Sequence, residues 1–405
     1  MKITYLHQYF NTPDMSGGTR SFELGRRLVD MGHSVSMVTS IRDTTNLRGW
    51  QVTEEAGMKV HWLPVRYSNH MGFMARIKSF IAFASAASIR ASRIPANVIF
   101  ASSTPLTIAL PAIASKHVQG RPIVFEVRDS WPTVPIELGY LRHPAMRAAA
   151  RGLEYVAYAA SSHVVALSPA MREDVIGRGY PPDRVSVIPN GCDLELMPSG
   201  NGKRIERKYA WVKERPLLVY VGTIGRMNGV RYLIELADAL QSFGNPFTIA
   251  IVGDGSEREA VTELARTKGV LDKSVYIIGA IPKTQVPDWL SLAEAAFMTL
   301  DGPPSVAKYA VQNKFFDALA AGLPILSNVE GYASEIGTKA GATLLLDMNP
   351  RTAAEVLTSR WNSGWFESAR DASTRLARGT FSRDTQAKEL ESILTRVTES
   401  PRGRP

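Results

Sequence analysis

Apolar residues recur along this chain in two rhythms. Short runs of β-branched and aromatic residues alternate with longer stretches in which apolar side chains return every three or four positions, the alternation of strand and helix expected for parallel sheets. In the first half the strand-like runs are Ile3–Leu6, Val35–Thr39, Val60–Val65, Val98–Ala101, Ile123–Val127, His163–Leu167 and Val185–Ile188. Helical spacing marks Phe22–Met31, Ala145–Ala160 and Ala170–Arg178 between them. A stretch rich in Ser, Gly and Asn then opens Pro198–Arg215, a linker with an entry helix. Beyond it the alternation restarts. Strands are expected at Leu217–Val221, Phe247–Val252, Val275–Ile278, Ala296–Leu300, Pro324–Ser327 and Ala342–Leu346, with helices at Arg231–Gln241, Val286–Ala293 and Asn313–Pro324. Ala387, Leu390, Ile393, Leu394 and Val397 form the apolar stripe of a last helix, and Pro401–Pro405 reads as a frayed tail. The fold class is therefore α/β, with two Rossmann-like parallel-sheet domains over 1–197 and 198–380 facing a cleft, a common place for ligands.

Glycines collect where strands meet helices. Gly17-Gly18 precedes Thr19-Arg20 and the first helix, and Gly222-Thr223-Ile224-Gly225-Arg226 follows a strand of the second half. Both turns suit a phosphate, because backbone N–H groups approach an anion closely where no Cβ intervenes. The helix from Asn313 adds a third element: Asn313, Lys314 and Asp317 share one seam near its start. The helix-start N–H groups and Lys314 attract an anion, while Asp317 is placed to accept hydrogen bonds from a diol. The same seam is equally compatible with a helix face turned to water. Arg128 and Asp129, at the end of the run Ile123–Val127, suit sugar hydroxyls or a structural ion pair. Dinucleotide G-x-G-x-x-G, P-loop, HExxH and G-x-S-x-G signatures are absent, which argues against oxidoreductase, P-loop, zincin and serine-esterase chemistry.

Composition narrows this further. With 405 residues, 45% hydrophobic and 21% charged, the chain has the make-up of a soluble globular protein of two or three domains. One cysteine, Cys192, excludes an internal disulfide and fits a cytoplasmic setting. The opening stretch, with one basic residue and a brief apolar run, does not read as a secretory signal, and Pro95, Pro105 and Pro111 interrupt the longest uncharged stretch. The net charge of +9 is uneven: between Ala56 and Phe125 every charged residue is basic. Within that stretch Phe73–Arg93 sets Phe73, Ile77, Phe80, Ile81 and Ala84 beside Arg76 and Lys78. The spacing is that of a basic amphipathic helix, docking on an anionic membrane or packing on the core with solvated ends. No nucleic-acid reader motif accompanies it.

Several segments together resemble the family-four retaining glycosyltransferases of the GT-B fold: Gly17-Gly18-Thr19-Arg20, Ser168–Met197, Val221–Val230, Val252–Glu259 and Asn313–Ser327. The segment around Asp129-Ser130-Trp131-Pro132 and the run from Asn313 are similar to the branch that adds acetamido sugars during O-antigen or capsule synthesis. The resemblance implies that the last helix, about 381–399, completes the first, acceptor-binding domain, and that the second binds a nucleotide-sugar donor. It places Gly17, Gly18 and Gly222 beside the donor, Arg226, Asn313 and Lys314 at its diphosphate, Asp317 at the ribose and Ile281 at the base. Arg128 and Asp129 fall near the donor sugar. Two departures stand out: Tyr309 replaces the first acid of the family's paired acids, and the usual lysine after the glycine-arginine turn is missing near Asn228, with Arg231 a substitute.

The expected activity is transfer of a sugar, UDP-linked, to a lipid-linked or oligosaccharide acceptor, without metal or other cofactor. The chain would work in the cytoplasm or on the inner face of the membrane. A nucleotide-sugar epimerase of the same architecture and a non-catalytic sugar-nucleotide binder are the rival readings.

Overall fold

The computed structural model describes residues 1–41, 48–67, 71–197 and 200–399. Pro198-Ser199 of the linker and the tail Pro401–Pro405 lie outside the described residues. The chain forms two compact units. One comprises Met1–Thr12, Thr19–Pro189 and the stretch from Asp384; the other comprises Pro13–Gly18 and Asn190–Arg383.

In the first unit the strands are β1 (Lys2–Leu6), β2 (Ser34–Ile41), β3 (Gln51–Glu55), β4 (Met58–Pro64), β5 (Val98–Ser102), β6 (Ile123–Val127), β7 (His163–Ala166) and β8 (Val185–Val187). They form one sheet in the order β3-β4-β2-β1-β5-β6-β7-β8. Every pairing is parallel except that of β3 with β4. Val98–Ser102 and Ile123–Val127 are buried throughout, as strands covered on both faces must be. Helices cover the sheet. One of them, Pro169–Gly177, starts where the Ser168 hydroxyl accepts the Met171 N–H at 3.3 Å and Pro169 presets the first turn. The last helix, Arg383–Glu399, buries Ala387, Leu390, Ile393 and Leu394. It belongs to this unit from Asp384 onward, where Asp384 pairs with Arg27 at 2.5 Å and Glu391 with His33 at 3.2 Å.

The helix Phe73–Ser92 departs from the expected stripe. Phe83, Ala84, Ala87 and Ala91 are its buried face, Ile77 and Phe80 are half-buried, and Met74, Ile81 and Ile89 face outward. The helix is apolar on most of its circumference, so its spacing did not single out one face. The side chain of Phe73 lies outside the described residues.

The second unit has β9 (Leu217–Val221), β10 (Thr248–Val252), β11 (Val275–Ile278), β12 (Ala293–Met298), β13 (Ile325–Ser327) and β14 (Thr343–Leu345), all parallel, in the order β11-β10-β9-β12-β13-β14. The helix expected over Val286–Ala293 ends at Leu290, and β12 begins at Ala293 rather than Ala296. Val286, Trp289, Leu290 and Ala293 have helical spacing and all are buried. A buried strand start therefore completed a helical rhythm that was not its own. Asn190–Arg383 is fastened at its ends. Cys192 N donates to Phe381 O at 2.8 Å, and Arg383 reaches both the Gly191 carbonyl at 2.7 Å and Asp193 at 3.3 Å.

Candidate functional site

In the second unit the strand order reverses between β9 and β12, the position at which open parallel sheets bind ligands. From β9 the chain runs through Gly222-Thr223-Ile224-Gly225 into a 3-10 turn over Arg226–Asn228. Gly222 N donates to Val252 O and Ile224 N to Asp254 O, both at 2.9 Å, so the turn lies flat against the one after β10. A Cβ on Gly253 would stand 1.8 Å from the Gly222 carbonyl oxygen; only glycine permits that approach.

Tyr220, fully buried at the end of β9, ties this turn to the helix Asn313–Ala320. Its hydroxyl donates to the Thr223 carbonyl at 2.7 Å and accepts from Lys314 Nζ at 2.8 Å. The lysine head also lies 3.9 Å from the tyrosine ring centre, a cation–π placement. Desolvation pushes the Lys314 amine down to about 7. Gly222 shares the contact, since a Cβ there would be 3.6 Å from Lys314 Nζ. The helix buries Phe315, Phe316, Ala318 and Leu319 and leaves Asn313, Lys314 and Asp317 along one half-buried edge. Gly322, at φ +69°, and the Leu323 N–H to Ala318 O bond of 2.9 Å end it.

Asn313 and Asp317 each meet a second segment. A Cβ on Gly18 would lie 2.7 Å from Asn313 Nδ2, so the Gly17-Gly18 loop runs past the start of this helix. Asp317 Oδ2 pairs with Lys283 Nζ at 2.5 Å. Arg226 is exposed at a cavity of about 350 Å³ that it shares with Arg231, Glu257 and Asp301. Arg231 pairs with Glu257 at 3.2 Å. Ile281 is half-buried and packs on the core of the unit. Tyr309 is buried, with the Lys308 ammonium 5.2 Å from its ring centre.

The first unit has its own reversal, between β1 and β5. His7 follows β1, Ser103 and Thr104 follow β5, and Arg128 and Asp129 follow β6. Arg128 Nη1 donates to His7 Nε2 at 3.0 Å, which leaves the His7 Nδ1 proton for the Ser21 hydroxyl at 2.7 Å. Arg128 N donates to Ser103 Oγ at 3.0 Å, and Asp129 accepts from the Thr104 hydroxyl. Arg128 and Asp129 thus engage separate partners. His7 and Lys283 escaped the sequence reading. His7 carried one signal, its position directly after a strand at the ligand end of the sheet, whereas nothing local distinguishes Lys283 from a surface lysine.

Beneath this edge Arg20 and Glu126 are fully buried. Arg20 Nε and Nη2 donate to Glu126 Oε1 at 2.9 and 2.8 Å, Arg20 reaches the carbonyls of Ile188 and Pro189 at 2.9 and 2.5 Å, and Ser102 donates to Glu126 Oε2 at 2.5 Å. Burial by itself raises the carboxyl, but the Arg20 and Arg128 charges outweigh it and hold it below the usual range.

Two largely parallel sheets, the first with polar side chains at its reversal point and the second with glycine turns at its own, define a GT-B glycosyltransferase architecture. Residues 17–191 match the model of the glycosyl transferase 4-like domain and residues 215–359 that of glycosyl transferases group 1; the chain belongs to the family-four glycosyltransferases. It is similar to 2-deoxystreptamine glucosyltransferase of Streptomyces kanamyceticus, with 25% identity over 40% of this chain and 38% of that one. It is similar also to the putative teichuronic acid biosynthesis glycosyltransferase TuaC of Bacillus subtilis, with 24% identity over 53% of this chain and 51% of that one. The chain thus spans about half or less of the length of these curated relatives. The crystal structure of Anabaena HepE in complex with UDP has the same fold, with a TM-score of 0.71 and 16% identity over 98% of this chain and 100% of that one. Among the described residues no helix is long and apolar enough to cross a membrane.

Proposed function

We propose that the chain moves a sugar from a UDP sugar, for example an acetamido sugar, to a lipid-linked or oligosaccharide acceptor in cell-surface polysaccharide synthesis, retaining the anomeric configuration and needing no metal. The observation that carries this reading is the Lys314–Tyr220–Thr223 chain of hydrogen bonds. It holds a desolvated amine at a helix start beside a turn whose backbone is open to an anion. The similarity to TuaC and to the UDP-bound Anabaena protein supports the polysaccharide role and the nucleotide. In the reaction the bond from the anomeric carbon to the diphosphate oxygen breaks, the acceptor oxygen bonds to that carbon on the same face, and the acceptor proton passes to the departing diphosphate. Lys314, Arg226 and the N–H groups from Asn313 stabilise the charge that develops there. Arg128 and Asp129 orient sugar hydroxyls.

The buried Tyr309, where the family's first acid is expected, favours a second reading, a binder of sugar nucleotides without turnover. One experiment separates the two. Nucleotides are ranked by thermal shift, and release of the best nucleotide from its sugar conjugates is then followed in excess EDTA with mixed saccharide and lipid-linked acceptors. Acceptor-dependent UDP release that survives EDTA is the expected result. Binding without release supports the binder, conversion of the sugar nucleotide without acceptor and without net UDP release supports the epimerase alternative, and loss of release in EDTA overturns the metal-free mechanism.

The helix Phe73–Ser92 supports a place for the chain on the membrane face that carries the acceptor. Met74, Ile81 and Ile89 are 62, 54 and 60% exposed, with Lys78 and Arg93 exposed beside them and no acid from Ala56 to Phe125. Apolar side chains amid cations suit an anionic bilayer. In flotation the protein should rise with vesicles containing anionic phospholipid and stay behind with zwitterionic ones. Ile81→Glu combined with Ile89→Glu should cut the bound fraction by about fivefold or more. Flotation indifferent to lipid charge would remove the membrane role.

A further inference from the structure

Lys283 opens a 3-10 turn, Lys283–Gln285, after β11, and only 6% of its surface is exposed. A buried lysine is uncommon unless it is paired, and its partner is Asp317, one turn into the helix that starts at Asn313. The backbone of the same turn does a second thing. Lys283 N donates to Met15 O and Thr284 N to Pro13 O, both at 3.1 Å. At its other end the loop Pro13–Gly18 presses against Asn313, where a Gly18 Cβ would be 2.7 Å from Nδ2. A closed circuit results: Lys283 to Asp317, one helical turn back to Asn313, across to Gly18, along the loop to Met15, and back to Lys283.

Only Asp317 Oδ2 is engaged by the lysine. A carboxylate held by one oxygen presents the other in a fixed direction, and hydrogen bonds to a charged, pre-oriented acceptor are stronger than neutral ones. We propose that Lys283 is a positioning residue for the nucleotide: it fixes Asp317 so that Oδ1 receives one ribose hydroxyl, and its backbone holds the glycine loop beside the phosphate-facing start of the same helix. The inference rests on the reading of this site as a nucleoside diphosphate site. It assigns Lys283 no contact with the reacting atoms.

The test compares UDP and 2′-deoxy-UDP by calorimetry on the full chain, in wild type, Lys283→Met, Lys283→Arg and Asp317→Asn. Wild type should prefer UDP by about tenfold, as for a hydrogen bond to a charged group. Lys283→Met should weaken UDP binding by about tenfold and bring the ratio of the two ligands close to one. Asp317→Asn should give the same ratio, and Lys283→Arg should restore most of the preference. Lys283→Gln, which keeps much of the buried stem, is measured if the methionine variant does not fold. A purely structural lysine would weaken both ligands equally and leave the ratio intact, which would overturn the proposal, as would unchanged UDP affinity. Failure of wild type to bind UDP, ADP, GDP or dTDP at all would instead remove the underlying reading of the site.

Discussion

Lys314→Met should lower kcat/KM for the donor by about two to three orders of magnitude, the usual consequence of removing one group that stabilises transition-state charge. Methionine keeps the apolar stem over the Tyr220 ring and deletes only the amine, so the melting temperature should move little. The amine is the part that matters because of where it sits. It is pushed down to about 7 by desolvation alone, and among the described residues its hydrogen-bond partner is a neutral phenol. A diphosphate arriving beside it supplies the counter-charge and favours the protonated form. The sign follows: below pH 7 the free protein already carries the cation, whereas above it a proton must be taken up with the ligand. UDP affinity should therefore fall as pH rises from about 6 to about 8.5, by up to tenfold per pH unit above 7. Binding isotherms across that range check it. In Lys314→Met the slope should vanish. A slope that persists there would assign the titration to another group.

Arg20→Met should destabilise the first unit by about 3–5 kcal/mol, the range for removing one partner of a buried ion pair. Glu126 would stay fully buried with Ser102 alone donating to it, and the carbonyls of Ile188 and Pro189 would lose their donor. Differential scanning calorimetry should show the melting temperature falling by roughly 10 °C. The double change Arg20→Met with Glu126→Leu should recover much of that loss, because no unpaired charge then remains. The pH dependence has a definite sign. A carboxyl held below its ordinary value stabilises the fold above that value, and the contribution is lost as pH falls through the lower, folded-state value. The gap between wild type and Arg20→Met should therefore close in acid and stay open at neutral pH.

What could be read from the sequence follows from how local each feature is. The helix from Asn313 was legible because its polar first turn, apolar face, Gly322 and Pro324 all lie within twelve positions. The parallel strands were legible for the same reason, as buried runs too apolar for edges. β3 was missed because Gln51–Glu55 is a polar, exposed edge strand, and such a strand has no apolar alternation to betray it. Lys283 stands 34 positions from Asp317, and Arg128 stands 121 from His7; pairings of that separation exist only once the sheets have brought the strand ends together. The fate of Arg20 is similar: nothing next to it in the sequence marks it as buried, yet it is spent inside the first unit on Glu126, 106 positions away.

The discontinuity of the first unit bears on how the chain comes into being. Its sheet is finished by Pro189, but the helix that buries Ala387, Leu390, Ile393 and Leu394 follows roughly 200 residues later. At about 5–20 residues per second, synthesis leaves that gap open for roughly 10–40 s. The unit begun first is therefore closed last. During the interval its surface waits with Arg27 and His33 lacking their partners from the final helix. Nascent chains stalled before Asp384 should be captured by chaperones and cut by protease within the first unit, while full-length chains are not.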